Sequence, residues 1–379
     1  MTGDTGVTSS DNSAFVRPLD GIKVVEMATY LAGPFSAKML SDMGADVVKV
    51  EMPTGDPYRA VGPTREGTSI YWLNGNNGKR AVTIDLKSEA GLAQLKVLLA
   101  DADIFIENSK PQVTAKLGLG NDVISAINPR LIRLSITGYG PDGPLSSEPV
   151  YDALLQGRSG LLAFEAVDGV PRATNHFLAD KIGALFACQM ALAGLAGRAR
   201  TGKGMHLQTS MLDMMSYYNF PDMLQHRTFI DDGRDWNAPP QVVVATKDGH
   251  MVLSPVTGKQ LSATLQVVGC EGRKDELRAI ADGRERTYRF FSIIADPLKE
   301  KTTAEWLPLF GEAQVPAAPV NSPDAGLEDA QLLHNQVYAE METPLGTVRA
   351  PRYPMTVDGN VLRPLMPAPA LGQDNDMLA

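Results

Sequence analysis

Asp180 stands where a stretch containing Gly169-Val170-Pro171 gives way to small apolar residues, His176-Phe-Leu-Ala-Asp-Lys-Ile-Gly-Ala-Leu-Phe-Ala-Cys-Gln-Met190. A carboxylate at the head of an apolar helix has two readings. Locally it is a helix N-cap, accepting hydrogen bonds from the first free backbone N–H groups. Chemically it is a nucleophile that attacks an activated acyl group and divides one hard transfer into two easier ones. The immediate neighbourhood favours the cap, and the rest of the chain removes competing chemistries. The five histidines, His176, His206, His226, His250 and His334, never pair at helical or hairpin spacing, so no metal site is expected. Cys188 and Cys270 lie apart in apolar contexts and read as core thiols. Leu31-Ala32-Gly33-Pro34 stands where a nicotinamide enzyme would carry G-x-G-x-x-G. The run Gly197 to Lys203 imitates a P-loop, yet Gly204 follows it and it ends a helix instead of following a strand. Gly157-Arg-Ser-Gly-Leu161 lacks the final glycine of a serine-hydrolase elbow. Carboxylate chemistry remains.

The elements that must position Asp180 follow from periodicity. Ile22 to Met27 reads as a strand, Pro34 to Met43 as a helix and Asp46 to Glu51 as a strand, with Pro34 suited to a first turn and Gly44 to a helix end. Strands at 81–86, 103–107 and 131–137 alternate with helices at 88–99 and 122–127, a pattern that calls for a parallel sheet covered on both faces. The helix carrying Asp180 runs to about Arg198, where Arg198, Arg200, Gly202 and Gly204 supply cations and glycines suited to a C-terminus. A strand follows at 205–211. From Tyr217 to Pro240 the chain is aromatic and polar without strong periodicity. A smaller α/β domain is expected over 226–330, with helices at 258–268, 276–282, 287–295 and 303–312. The large domain then covers 16–225, and a Pro-rich return segment, 331–379, completes it.

Composition bounds the partners. With 379 residues, 44% of them hydrophobic, the chain can bury a core of two domains. A net charge of -9, with no basic cluster, argues against nucleic acid. The apolar run 182–196 is too short to span a bilayer and reads as a buried helix, so no membrane is expected. Residues 1–15, rich in Ser, Thr, Gly and Asp and without a signal pattern, read as a disordered tail on a cytoplasmic protein.

Taken together, Gly21-Ile-Lys-Val-Val-Glu26, Ala32-Gly-Pro34, Leu40-Ser-Asp-Met-Gly-Ala-Asp-Val-Val-Lys-Val-Glu51, Asn77-Gly-Lys-Arg80, Glu107-Asn108, Gly118, Gly138-Tyr-Gly-Pro-Asp-Gly-Pro144, Tyr151-Asp152, Ala179-Asp180 and Arg200-Thr-Gly-Lys-Gly204 resemble the family III CoA-transferases. Ala317-Ala-Pro-Val320 and Ala368-Pro-Ala-Leu-Gly372 continue the likeness. The resemblance implies a Rossmann-like large domain built from both ends of the chain, a small domain between them, and two chains threaded into an interlocked, ring-like homodimer. It implies that Asp180 is the nucleophile, attacking a donor thioester to give a mixed anhydride and then an enzyme thioester that a free acid takes over. Coenzyme A enters as a substrate thioester, with no tightly bound cofactor and no metal. Carried over residue by residue, the CoA path comprises Leu31 and Ala32, Asn76, Asn77, Gly78 and Lys79, Asn108, Ser109 and Lys110, Lys116, and the turn Val150-Tyr151-Asp152. Lys79, Lys110 and Lys116 would be the cations for the nucleotide phosphates, and Tyr151 would orient a reacting carboxylate beside Asp152.

The departures narrow the reading. Formyl-CoA transferases carry Gln where this chain has Leu31, and a glycine run where it has Trp236-Asn-Ala-Pro-Pro240, so oxalate-type specificity is not expected. Acyl-CoA racemases of this fold place a His at the position of Tyr151, so two-base proton exchange lacks its second partner. The rivals are an α-methylacyl-CoA racemase, marked by solvent exchange without CoA exchange, and an acyl-CoA-binding protein without catalysis.

Overall fold

The computed structural model describes residues 16–231 and 242–378. The expected tail at 1–15 and the Trp236 to Pro240 string lie outside the described residues. The chain divides into two compact units, Met1–Met223 with Asn335–Ala379, and Leu224–His334.

In the large unit, β1 (Lys23–Met27), α1 (Ala32–Asp42) and β2 (Asp46–Glu51) form the first crossover. A two-residue hairpin, β3 (Thr64–Arg65) and β4 (Thr68–Ser69), leads into α2 (Ile70–Asn76) and β5 (Lys79–Thr83). Then come α3 (Glu89–Ala100), β6 (Ile104–Glu107), α4 (Pro111–Lys116), α5 (Asn121–Ile127) and β7 (Ile132–Thr137). A long crossover holding α6 (Asp152–Arg158), α7 (Leu161–Phe164) and α8 (Leu178–Thr201) reaches β8 (Met205–Ser210), followed by α9 (Met211–Met223). The six strands pair in parallel in the order β5-β2-β1-β6-β7-β8. Successive strands build outward from β1 to one side and then from β6 to the other. In sheets of this kind ligands gather at the carboxyl ends of the strands where the order reverses, here between β1 and β6.

Charge is buried inside this sheet. Glu26 on β1 accepts from Lys49 and Lys79, each at 2.7 Å, and all three side chains are fully buried. Burial works to raise the Glu26 carboxyl, but the two ammonium groups hold it below its ordinary value. Lys49 also pairs with Asp56 at 2.9 Å and donates to the Ala28 carbonyl at 2.8 Å, tying the loop after β1 to the sheet.

The last segment closes the exposed edge of β5, because an unpaired edge strand invites association. Ala81 and Thr83 donate their backbone N–H groups to Asp374 and Asn375, and Trp72 donates its indole N–H to the Pro369 carbonyl. Upstream, β12 (Tyr338–Met341) pairs with β13 (Val348–Pro351), and β14 (Thr356–Val357) with β15 (Asn360–Val361).

The small unit holds an antiparallel sheet of β9 (Val243–Ala245), β10 (His250–Leu253) and β11 (Ala317–Pro319), in the order β11-β10-β9. Its helices are α10 (Gly258–Val267), α11 (Lys274–Arg278), α12 (Gly283–Leu298), α13 (Thr303–Glu312), α14 (Pro323–Leu327) and α15 (Ala330–His334). Capping boxes start α10 at Thr257 and α13 at Thr302. Phe290, Ile294, Leu298, Trp306 and Phe310 form its core.

Two expectations need correction. The stretch from Tyr217 contains the second half of α9, a helix despite Pro221 and the lack of an apolar stripe. The chain leaves the large unit after Met223 and returns at Asn335, not at 225 and 331, because α9 ends there and α15 belongs to the small unit.

Candidate active site

A crossover helix between parallel strands runs back against them, so the N-terminus of α8 lies at the carboxyl edge of the sheet. α8 begins at Leu178, which makes Asp180 its third residue and not its cap; the cap position belongs to Phe177, which offers no side-chain hydrogen bond. Capping comes from another helix. Asp152, the first residue of α6, accepts the Asp180 backbone N–H on Oδ1 at 3.1 Å. Its second oxygen accepts from the Gln156 amide one turn later, and Gln156 Oε1 accepts the Thr174 hydroxyl at 3.0 Å. Asp152 and Gln156 are both buried, and this polar chain fixes the entry to α8. Neither Gln156 nor Thr174 was expected at the site, although Asp152 and Gln156 stand four residues apart, the spacing that brings helical side chains together.

Freed from capping, the Asp180 carboxyl is raised to about 7, first by burial and then by the Asp152 charge. Such a carboxylate, once ionised, is more basic and a better nucleophile than an ordinary aspartate. Gly183 lies one turn along, where a Cβ would sit 3.6 Å from Ala32 Cβ, so α1 and α8 pack closely behind the acid. The α8 helix ends at Gly202, in the left-handed region at φ 72°, and Arg198 pairs with Asp103 at 2.8 Å. This confirms that the P-loop imitation is a helix terminus.

A chain of aromatic side chains reaches the acid through Tyr58. Tyr58 is buried, and its phenol is pushed above its ordinary value first by burial and then by the Asp180 charge. Its ring stacks on Tyr71 at 6.0 Å, and Tyr71 meets Phe177 edge-on at 5.6 Å. Tyr30, held at φ 63°, donates its backbone N–H to Asp56 and packs edge-on against Tyr151 at 6.1 Å. A bulky residue in that backbone region carries strain, here stabilised by the buried Lys49–Asp56 pair. Tyr30, Tyr58, Tyr71 and Phe177 were all missed by sequence reasoning, since single aromatics in loops and short helices carry no local signal.

The expected residues divide. Leu31 and Ala32 sit buried at the start of α1, in the reversal between β1 and β6. Asn108 clamps this loop: its amide exchanges both hydrogen bonds with the Thr29 backbone, at 2.9 and 2.8 Å. Ser109 is partly buried beside it. Lys110 and Lys116, at the two ends of α4, are exposed. Val150 packs on Gly138, where a Cβ would come within 2.2 Å of Val150 Cγ1. Asn76 accepts from Lys79 at 2.7 Å; Asn77 is buried with neither amide atom hydrogen-bonded, and Gly78 turns the chain at φ 83°.

One assignment is corrected. Lys79 is buried, and its three N–H groups are taken by Glu26, Pro34 O and Asn76, each at 2.7 Å, so it is a structural cation with no donor left for a phosphate. Tyr151 is 63% exposed with its ring against Tyr30, and it is the neighbouring Asp152 that accepts the Asp180 backbone N–H.

Residues 19–375 match the sequence profile of CoA-transferase family III. Succinyl-CoA:glutarate CoA-transferase of Mus musculus is 31% identical, the alignment covering 97% of this chain and 87% of that protein. Succinate--glutarate CoA-transferase of Agrobacterium fabrum is 32% identical over 94% of this chain and 93% of its own. A crystal structure of a CaiB/BaiF family protein from Brucella suis superposes with a TM-score of 0.83 at 29% identity, covering 96% of this chain and 99% of that one. A parallel sheet with its acid at the reversal, and a match along nearly the whole chain, thus converge on one conclusion: the protein belongs to CoA-transferase family III and is a CoA-transferase.

Proposed function

We propose that the enzyme moves CoA from an acyl-CoA to a free carboxylic acid through a covalent intermediate on Asp180. The observation that carries this reading is the placement of Asp180 at the third residue of α8, with Asp152 on its backbone N–H and its carboxyl raised to about 7. A carboxylate oxygen of Asp180 attacks the thioester carbonyl, the C–S bond breaks, and the CoA thiolate leaves behind a mixed anhydride. The thiolate then attacks the Asp180 carbonyl and releases the donor acid as its carboxylate. The acceptor carboxylate attacks the aspartyl thioester, and the returning thiolate takes the acceptor's acyl carbon and restores Asp180. Each step exchanges one anion for another, so no proton is transferred. Exclusion of water matters more than driving force, because water would hydrolyse either intermediate. The burial of the Asp180 carboxyl beside the buried Tyr58 suits that requirement.

Lys110 and Lys116 are the cations proposed for the nucleotide phosphates, and Leu31, Ala32 and Asn108 form the floor of the CoA path at the strand reversal. Two relatives named for succinyl and glutaryl transfer make succinyl-CoA with glutarate the first pair to assay. On the family resemblance we also propose an interlocked homodimer. The racemase alternative loses ground because Tyr151 stands where a racemase would carry its histidine base, with its ring packed against Tyr30.

The test is Asp180→Asn. The amide cannot form an anhydride, so transfer should fall at least about a thousandfold, roughly 4 kcal/mol of transition-state stabilisation, while CoA binding is retained. In the unmodified enzyme, acyl-CoA without acceptor should leave a hydroxylamine-sensitive adduct on the peptide containing Asp180. Near-normal turnover of the variant, or an adduct on another carboxylate, overturns the mechanism.

A further inference from the structure

The small unit carries a cavity that transfer chemistry on Asp180 does not call upon. It has a volume of about 660 Å³, and every residue lining it falls between Val242 and Phe291. That volume is typical of small-molecule sites, which run from roughly 300 to 1,000 Å³. The floor is apolar: Leu265 of α10, Leu277 of α11 and Phe290 of α12 are all buried and line it, because the helices that close the core of this unit leave their inner faces around a gap. The rim is cationic, with Lys274, Arg278 and Arg286, and among the described residues no acidic side chain lines the cavity.

The three cations differ in what they already hold. Arg278 pairs with Asp275 at 2.9 Å, and Arg286 donates to the Ala281 carbonyl at 3.0 Å. Lys274 is partly buried, and its ammonium group has no ion pair or hydrogen bond among the described residues. An ammonium group without a partner beside an apolar cavity gains from an anion brought to it. A small inorganic anion would leave the apolar floor wet, and a neutral chain would leave the ammonium unpaired. Only a molecule with an apolar body and one anionic end satisfies both.

We infer that this cavity binds an amphipathic monocarboxylate, its alkyl or aryl body against Leu265, Leu277 and Phe290 and its carboxylate on Lys274. This goes beyond the transfer reaction, since none of these residues belongs to the unit that holds Asp180.

Decanoate and decanol, a charged and an uncharged probe of equal length, decide it by calorimetric titration of the full-length protein. Binding at the acceptor position near Asp180 is separated out by repeating the titration with saturating CoA and in Asp180→Asn. Decanoate should bind saturably in all three conditions. Lys274→Gln should weaken it about tenfold, and Ser262→Trp, which fills the mouth from α10, should abolish it, with CoA transfer and thermal transition unchanged in both. Should the tryptophan shift the transition, Leu261→Phe replaces it. Absence of saturable binding, equal affinity in parent and variants, or decanol binding as tightly as decanoate overturns the assignment.

Discussion

At Asp180, burial and the Asp152 charge raise the carboxyl to about 7, so below that pH most of the enzyme carries a protonated, non-nucleophilic acid. Acyl-CoA kcat/KM should therefore rise about tenfold per pH unit up to near 7 and level off above it. Asp152→Asn removes one of the two causes while keeping an oxygen for the Asp180 N–H. Its acid limb should move to lower pH with the plateau reduced severalfold, read from rate profiles of the two enzymes; coincident profiles would separate Asp152 from the titration. The same shift has a cost in stability. A carboxyl whose folded pKa exceeds its unfolded value binds an extra proton in the native state between the two, so stability falls as pH climbs from about 4 to about 7. Asp180→Asn escapes that loss. Its thermal transition should lie a few degrees above the parent's at pH 8 and coincide with it near pH 4, measured by calorimetry.

Among the elements, the lysines show how one residue type serves two ends. Lys79 starts the edge strand β5 with its side chain buried, and burial pulls its ammonium down to about 8 against the opposing pull of Glu26. Lys79→Met strips the Glu26 carboxylate of one of two buried partners and should destabilise the fold by about 3–5 kcal/mol in denaturant titrations. Lys110 and Lys116 flank α4 in solvent, so Lys110→Ala and Lys116→Ala should leave stability within about 0.5 kcal/mol. Each should raise the KM for acyl-CoA roughly three- to tenfold at constant kcat, with the effect shrinking as salt is added. If Lys79→Met instead left the fold intact and only raised KM, the structural assignment of that lysine would be wrong.

On the scale of the whole molecule, the large unit is made from both ends of the chain, and the returning segment covers the β5 edge through Asp374 and Asn375. A chain that leaves a unit after Met223 and re-enters it at Asn335 encloses a long excursion, which accords with the proposed interlocking of two copies. Sedimentation should then show a dimer at every concentration down to the detection limit, because threaded chains cannot part without unfolding. A concentration-independent monomer would rule the arrangement out.

Sequence alone determined the sheet class, the long helix and the acid at its head. Runs such as Val47 to Glu51 are buried on both faces, and small-residue packing along α8 leaves a trace in every turn. Motif order along the chain also pointed to the family, since many short strings in one order are hard to match by accident. What tertiary structure decided were relations between segments that local pattern does not encode. The Asp152 bond to the Asp180 backbone spans 28 residues, and the Glu26 bond to Lys79 spans 53. The first shows that Asp180 is held by a cap and is not itself the cap, and the second turned an apparent surface cation into part of the core. Tyr58 gained its place beside the acid in the same way, through folding that brings an isolated loop aromatic to the end of α8. Periodicity records which face of an element is buried; it holds no record of which distant side chain will meet it there.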